Sequence, residues 1–182
     1  YQLTIEPGTR FATEAAAGRL VLPDADLGAD LFTTTRAITA AAGLPAYETS
    51  NHARPGAESR HNLTYWRYSD YAGIGPGAHG RRGGLATTRH RKPENWMAAV
   101  GRNRHGAQEE TPLTAQEAMT ERLVMGLRLT EGVATGAIEA MLDRAAIDRL
   151  AGLGLIAASP DRIALTEAGA PLLDAVLREI AR

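Results

Sequence analysis

The 182-residue sequence contains no cysteine and no long apolar run. Without cysteine the chain forms neither a disulfide nor a thiolate zinc site, and it lacks the usual ligands of an iron–sulfur cluster. No segment reaches the roughly 18 apolar residues that a membrane-spanning helix needs. The sequence also lacks an initiator methionine and a secretory signal. The missing methionine indicates a fragment excised from a longer protein.

Charged residues are unevenly distributed along the chain. Residues 1–50 carry 3 basic and 6 acidic side chains, residues 51–111 carry 10 and 5, and residues 112–182 carry 7 and 10. The middle section also holds all five histidines and both tryptophans. A basic, histidine-rich and aromatic section between acidic flanks indicates either an anionic ligand or a solvated basic loop.

The first part of the sequence predicts a β-α-β unit. Residues 1–5 and 44–49 are predicted strands, and residues 24–43 are a predicted helix with Leu27, Leu31 and Ile38 on one face. A crossover helix between two strands favours parallel pairing and an α/β fold. Glu6 and Glu48 end the two strands, where they are candidates for site carboxylates or for polar loop residues.

The last part of the sequence predicts a small α+β domain with the element order of a winged helix. A loop-rich stretch over residues 51–92 and a helix over 93–104 precede a linker-like segment over 105–113. A capping box at Thr114 begins a helix, and two further helices, a β-hairpin and a final helix capped by Thr166 follow. The buried face of the final helix is predicted to contain Leu172, Leu173, Val176, Leu177 and Ile180. We therefore predict two domains, 1–108 and 109–182.

A winged helix can bind DNA through its third helix, but the charges of this section disfavour that function. The predicted recognition helix carries Arg149 beside Asp148, and residues 112–182 have a net charge of −3. Because DNA binding requires cations that neutralise phosphates, we expect no nucleic-acid partner and keep DNA binding as a remote alternative.

The sequence over residues 61–66, His-Asn-Leu-Thr-Tyr-Trp, concentrates side chains with binding chemistry. A neutral imidazole ligates iron or zinc, aromatic rings stack on flat ligands, and neighbouring arginines bind carboxylates. This combination suits an iron porphyrin with propionate groups. The alternative is that Tyr65 and Trp66 are core residues and that His61 makes one structural hydrogen bond.

A glycine-rich segment over residues 73–80 allows close approach of backbone to a ligand. It matches neither a phosphate-binding loop nor a dinucleotide fingerprint. Zinc binding through His61, His79 and His90 is a weaker hypothesis, because their spacing matches no compact ligand motif.

The order of four segments carries a family resemblance. They are residues 1–9, 47–56, 59–66 and 70–79, and the tail from residue 121 onward adds a fifth. Together they resemble the C-terminal half of the radical S-adenosylmethionine haem chaperones, which are similar to oxygen-independent coproporphyrinogen III oxidase. The resemblance covers essentially the whole chain. It implies the C-terminal part of a partial (β/α) barrel, followed by a winged-helix-like domain.

The same resemblance implies specific site residues. Haem binding carries over onto His61, Asn62, Tyr65 and Trp66, with His61 as the candidate iron ligand. Contacts to S-adenosylmethionine carry over onto Gln2 and Tyr47. In the family an upstream loop with three cysteines holds a four-iron four-sulfur cluster, and this chain lacks those ligands.

The function implied by the resemblance is binding of haem and its delivery to acceptor proteins. The alternative for the full-length protein is oxygen-independent coproporphyrinogen III oxidase, although true oxidases lack the His-Asn-x-x-Tyr-Trp string. We expect the fragment itself to have no radical activity and to be cytoplasmic, with acceptor proteins as its connection to membranes. We also expect dimerisation through surfaces that the missing part of the barrel would cover.

Overall fold

The structure is a computed structural model that describes residues 3–182. The chain divides into two compact units, one ending at Glu58 and the other running from Ser59 to Arg182. Helices and small antiparallel sheets alternate along the chain, which confirms a mixed α/β class. The predicted domains, 1–108 and 109–182, do not coincide with this division into compact units, and they stay a prediction. No helix within the described residues is both long and apolar enough to cross a membrane.

The first unit contains two helices, α1 (Arg10–Ala16) and α2 (Ala25–Ala41). Helix α2 begins as predicted, because the Asp24 carboxylate accepts a hydrogen bond from the Leu27 N–H at 2.8 Å. Helix α1 was not predicted. Its N-cap is Thr9, whose hydroxyl oxygen accepts from the Ala12 N–H.

Neither predicted strand of the first unit is found as a regular strand in the residues that the structure describes. Residues 3–5 have no regular structure, and residues 44–49 form only isolated bridges, one of which joins Ala46 to His52. The predicted β-α-β unit is therefore not found in residues 3–58.

The apolar face of α2 is exposed rather than buried. Leu27, Leu31 and Ile38 are 50%, 47% and 64% exposed. Within residues 3–58 no apolar side chain is buried, and the buried side chains are those of Arg36 and Glu48. The helix and its apolar face were therefore predicted correctly. No other part of residues 3–58 covers that face.

The second unit begins with α3 (Arg60–Trp66) and a three-stranded antiparallel sheet. Its strands are β1 (His79–Arg82), β2 (Leu85–Arg89) and β3 (Ala107–Pro112), with β2 in the centre and α4 (Pro93–Asn103) between β2 and β3. Gly83 and Gly84, at φ of 58° and 78°, form the two-residue turn between β1 and β2. The linker-like segment 105–113 is thus largely β3, and the loop-rich stretch 51–92 holds α3 and this hairpin.

The rest of the second unit contains its hydrophobic core. Helix α5 (Ala115–Gly126) begins with the predicted capping box of Thr114 and Glu117. It is followed by β4 (Val133–Ala134), α6 (Arg144–Gly152), β5 (Ile156–Ala158), β6 (Arg162–Leu165) and α7 (Leu173–Ile180). The second sheet has the order β4-β6-β5. The side chains with the least exposure come from these elements and their connections: Leu123, Leu127, Ile138, Leu142, Ile147, Ile163, Val176 and Ile180.

One predicted core residue of the last helix is wrong. Leu172 is 45% exposed, whereas Leu173, Val176 and Ile180 are buried. Helix α7 starts only at Leu173, because a short 3₁₀ turn over Ala170–Leu172 precedes it. Thr166 caps that turn region by accepting a hydrogen bond from the Gly169 N–H at 3.1 Å.

Candidate functional site

Helix α3 places His61 and Tyr65 on the same face, one turn apart. Ser59 begins the helix by accepting a hydrogen bond from the Asn62 N–H at 3.3 Å. Residues four apart on a helix are neighbours, and here the Tyr65 hydroxyl lies 3.0 Å from His61 Nε2. The two rings meet edge to face, with centroids 4.8 Å apart.

Tyr71 extends this aromatic row. Its ring meets the ring of Tyr65 edge to face at a centroid distance of 4.5 Å. Two backbone hydrogen bonds of 2.7 and 2.9 Å join Tyr71 to Arg81 on β1 and so hold the ring against α3. The phenol of Tyr71 is thus a site residue that the motif analysis did not single out. The sequence feature that could have indicated Tyr71 is the aromatic content of residues 51–111.

The glycine-rich segment passes directly beside these rings. Gly73 packs so closely on the backbone of His79 that a Cβ at position 73 would lie 2.3 Å from the His79 carbonyl oxygen. The Arg89 side chain donates to the Gly73 carbonyl at 3.1 Å, and the Gly77 N–H donates to the His90 carbonyl at 2.9 Å. Glycine at position 73 is therefore required for the loop to fold back onto the start of β1.

The helix and the loop line an open cavity of about 440 Å³, which we call the aromatic cavity. Its lining consists of His61, Tyr65, Tyr71, Ala72, Gly73, Ile74, Ala78 and His79. The volume lies within the range of about 300–1,000 Å³ typical of small-ligand sites. Ile74 is 87% exposed, so the loop presents an apolar side chain at a wet edge of the cavity. Two imidazoles, two phenols and aliphatic side chains together suit a flat apolar ligand that carries a metal ion.

The other two residues of the His-Asn-x-x-Tyr-Trp string do not line this cavity. Trp66 packs against Arg128 instead, with the guanidinium carbon 4.5 Å from the ring centroid. The buried indole Nε1 of Trp66 makes no hydrogen bond within residues 3–182. Asn62 contributes its backbone N–H to the cap of α3. The structure therefore brings His61 and Tyr65 to the aromatic cavity and places Trp66 in the packing of α3 near the end of α5.

The residues predicted to contact S-adenosylmethionine belong to the first unit. Gln2 lies outside the described residues. Tyr47 is half-buried, and its N–H donates to the Asn51 carbonyl at 3.1 Å. Glu48 is fully buried, and its Oε1 accepts from the Ser50 N–H at 3.0 Å and from Asn51 Nδ2 at 2.5 Å. Glu48 therefore stabilises the turn that follows it.

Tyr68, Arg81 and Glu121 form a half-buried polar cluster that the sequence analysis missed. The Tyr68 hydroxyl donates to Glu121 at 2.6 Å, and Arg81 donates to the other carboxylate oxygen at 2.9 Å. Burial and the hydrogen bond to Glu121 raise the pKa of the Tyr68 phenol. The guanidinium of Arg122 also lies over the Tyr68 ring, 4.8 Å from its centroid. This cluster joins the loop after α3, strand β1 and helix α5.

The histidines do not assemble a zinc site. The described residues contain no group of three or more histidine, aspartate or glutamate side chains that could hold a metal ion. His61 and His79 line the aromatic cavity, whereas His90 lines a second cavity on which His79 also borders. A porphyrin supplies most of the ligands of its own metal ion. A single imidazole can therefore ligate such a metal without a cluster of three protein ligands.

The chain is similar in sequence to radical S-adenosylmethionine proteins. Residues 113–172 match the model of the HemN C-terminal domain. The haem chaperone HemW of Mycobacterium tuberculosis is 33% identical over 180 residues, which is 99% of this chain and 46% of that protein. Bovine radical S-adenosyl methionine domain-containing protein 1, a mitochondrial protein, is 42% identical over 141 residues, covering 73% of this chain and 32% of the relative. The chain thus spans less than half the length of these relatives.

The fold is also similar to a solved structure. Coproporphyrinogen III oxidase (HemN) from Escherichia coli, a radical SAM enzyme, matches with a TM-score of 0.62 and 18% identity. The match covers 90% of this chain and 44% of that one, and it shows a common fold. The matches in sequence identify the chain as a member of the HemN/HemW family of radical S-adenosylmethionine proteins.

Proposed function

We propose that this chain is the haem-binding C-terminal part of a haem chaperone, which binds haem and passes it to acceptor proteins. The observation that carries the proposal is the aromatic cavity, where two motifs separated by a short connection meet. His61 and Tyr65 come from the first motif, and Gly73, Ala78 and His79 come from the second. A cavity with imidazole nitrogens and aromatic walls fits both the iron and the macrocycle of a haem.

In this proposal His61 is the iron ligand and the rings of Tyr65 and Tyr71 contact the macrocycle. His61 is exposed on α3, so a haem reaches its imidazole without a rearrangement of the core. Asn62 and Trp66 support the site indirectly: Asn62 through the cap of α3, and Trp66 through its packing against Arg128. An exposed site of this kind suits a ligand that must be released to another protein.

A chaperone is favoured over the oxidase because the chain is more similar in sequence to a haem chaperone than to the oxidase. The chain is 33% identical to the HemW of M. tuberculosis over nearly its whole length, but 18% identical to the HemN structure. The fold likeness to HemN is equally compatible with both functions. We propose in addition that the first unit is the end of a partial barrel, that the C-terminal elements are a winged-helix-like domain, and that the full-length protein is cytoplasmic.

The full-length relatives imply a four-iron four-sulfur cluster and S-adenosylmethionine. The residues of this chain do not fit the cluster, because the sequence has no cysteine. Tyr47 remains the proposed S-adenosylmethionine contact among the described residues. No step of haem binding in this proposal depends on either group.

Haem binding and transfer together test the proposed function. The 182-residue chain is titrated with haem and followed by the absorbance of the bound chromophore, and the loaded protein is then mixed with a haem-free acceptor protein. Saturable binding of one haem per chain, followed by its transfer to the acceptor, supports the proposal. Binding that does not saturate, or haem that stays with the chain in the presence of excess acceptor, contradicts it.

A further inference from the structure

A second cavity lies beside the aromatic cavity and has the opposite chemistry. This basic cavity has a volume of 430 Å³ and is lined by polar and charged side chains that include Arg89, Arg91, Lys92, His90, Asn95 and Glu109. Three permanently charged cations and one carboxylate line it. The carboxylate of Glu109 already accepts a hydrogen bond from the Thr111 hydroxyl at 3.1 Å. The cavity therefore favours an anionic ligand.

The two cavities share a wall. His79 lines both of them, and the segment 77–79 runs between them. This wall is fixed by backbone hydrogen bonds, because the Gly77 N–H donates to the His90 carbonyl and the Arg89 N–H donates to the Ala78 carbonyl, both at 2.9 Å. The two cavities are therefore immediate neighbours, and a ligand with an apolar body and an acidic edge would meet both of them only over the rim that His79 forms.

The cationic residues of the basic cavity differ in whether they also have a structural role. Arg89 is half-buried and donates to the Gly73 carbonyl, so it helps to position the loop. Arg91 and Lys92 are exposed, and they precede α4 directly, on the connection from β2. Long, exposed cationic side chains on an ordered connection can reach a carboxylate without losing a structural role.

We propose that the basic cavity binds the carboxylate groups of the porphyrin whose macrocycle occupies the aromatic cavity, with Arg91 and Lys92 as the binding residues. This inference rests on the proposed function. A haem carries its two propionates on one edge, so the neighbouring aromatic and basic cavities match its two kinds of surface. Arginine binds a carboxylate through two parallel hydrogen bonds, and lysine acts as a point charge. The two residues therefore orient the macrocycle as well as adding affinity.

The test compares haem with haem dimethyl ester, in which both carboxylates are blocked. We expect the wild-type chain to bind the ester about 5- to 30-fold more weakly than haem, the factor that corresponds to one or two lost charge-assisted contacts. In the double variant Arg91→Gln/Lys92→Gln, haem affinity falls to the value for the ester, whereas the affinity for the ester does not change. Higher salt weakens haem binding to the wild type more than to the variant.

A matched control separates a binding site from general electrostatic attraction. Arg82→Gln/Arg102→Gln removes the same charge from the same basic section, at two exposed residues that line neither cavity. This control keeps the wild-type preference for haem over the ester. If wild type and the Arg91/Lys92 variant distinguish haem from its ester equally well, the inference is wrong although haem binding stands. If the wild-type chain binds no haem, the proposed function fails and the inference fails with it.

Discussion

The Tyr65 hydroxyl lies 3.0 Å from His61 Nε2, so the imidazole of the proposed iron ligand has a hydrogen-bond partner within the protein itself. Ligation of iron through Nε2 would use the same atom that the phenol contacts. A haem that binds through Nε2 must therefore displace the phenol. The cost of that displacement offers a direct way to identify the ligating nitrogen.

We predict that Tyr65→Phe strengthens haem binding. The substitution keeps the ring that packs against His61 and Tyr71 but removes the competing hydroxyl. A hydrogen bond contributes about 0.5–1.5 kcal/mol net, so the affinity should rise by roughly two- to tenfold. A titration of wild type and variant measures it. Weaker binding by the variant would contradict ligation through Nε2 and would indicate Nδ1, with Tyr65 supporting the ligand from behind.

A second prediction concerns the loop that closes the aromatic cavity. Gly73→Ala places a Cβ 2.3 Å from the His79 carbonyl oxygen, so the backbone of the loop must shift. We expect a loss of about 1–3 kcal/mol in the free energy of unfolding, together with weaker haem binding. Gly101→Ala is the matched control, because no atom lies within 4 Å of its Cβ and alanine is the better helix former in α4. Chemical denaturation that finds Gly73→Ala as stable as this control would refute the close approach.

The third prediction is a pH dependence of Tyr68. Burial and the hydrogen bond donated to Glu121 raise the pKa of its phenol, which favours the neutral form in the folded protein. The resulting stability is complete below the ordinary phenol pKa of about 10 and is lost as the pH rises through the higher pKa of the folded state. Titration of the five tyrosines by ultraviolet absorbance should show a late ionisation step. Tyr68→Phe should abolish that step and Tyr47→Phe should leave it, whereas a late step that survives Tyr68→Phe belongs to another residue.

The fourth prediction concerns radical chemistry. The 182-residue chain should not cleave S-adenosylmethionine, because it contains no cysteine to hold the iron–sulfur cluster. The chain is incubated anaerobically with iron, sulfide, a strong reductant and S-adenosylmethionine, and the products are separated by chromatography. Cleavage above the level of a protein-free control would show that this chain assembles a reactive cluster with other ligands.

Local sequence signals predicted most of the helices correctly. Asp24 and Thr114 carry their own side-chain caps, and Pro93 stands at the first turn of α4, so the start of each helix is encoded within a few residues. The predicted strands of the first unit failed for the opposite reason. A strand depends on pairing with another segment of the chain, which the residues of the strand itself do not specify.

The candidate site was predicted in part. The string over residues 61–66 identified His61 and Tyr65, whose spacing of four already places them on one face of a helix. Helix α3 itself was missed, because seven residues are too few to show a clear periodicity. The hairpin was missed because β1, with the sequence His-Gly-Arg-Arg, lacks the alternation of a half-buried strand. Without the hairpin, the meeting of Tyr71 and His79 with α3 could not be deduced.

The central claim is that His61 binds the iron of a haem in the aromatic cavity, and a haem titration of three proteins tests it most directly. The proteins are the wild-type chain, His61→Ala, and His105→Ala, a control that removes an exposed imidazole lining neither cavity. We predict that His61→Ala lowers the haem affinity about tenfold or more, which corresponds to at least 1.4 kcal/mol, and changes the absorption spectrum of the bound haem. His105→Ala should match the wild type in both. Equal affinities and identical spectra for wild type and His61→Ala would contradict the claim.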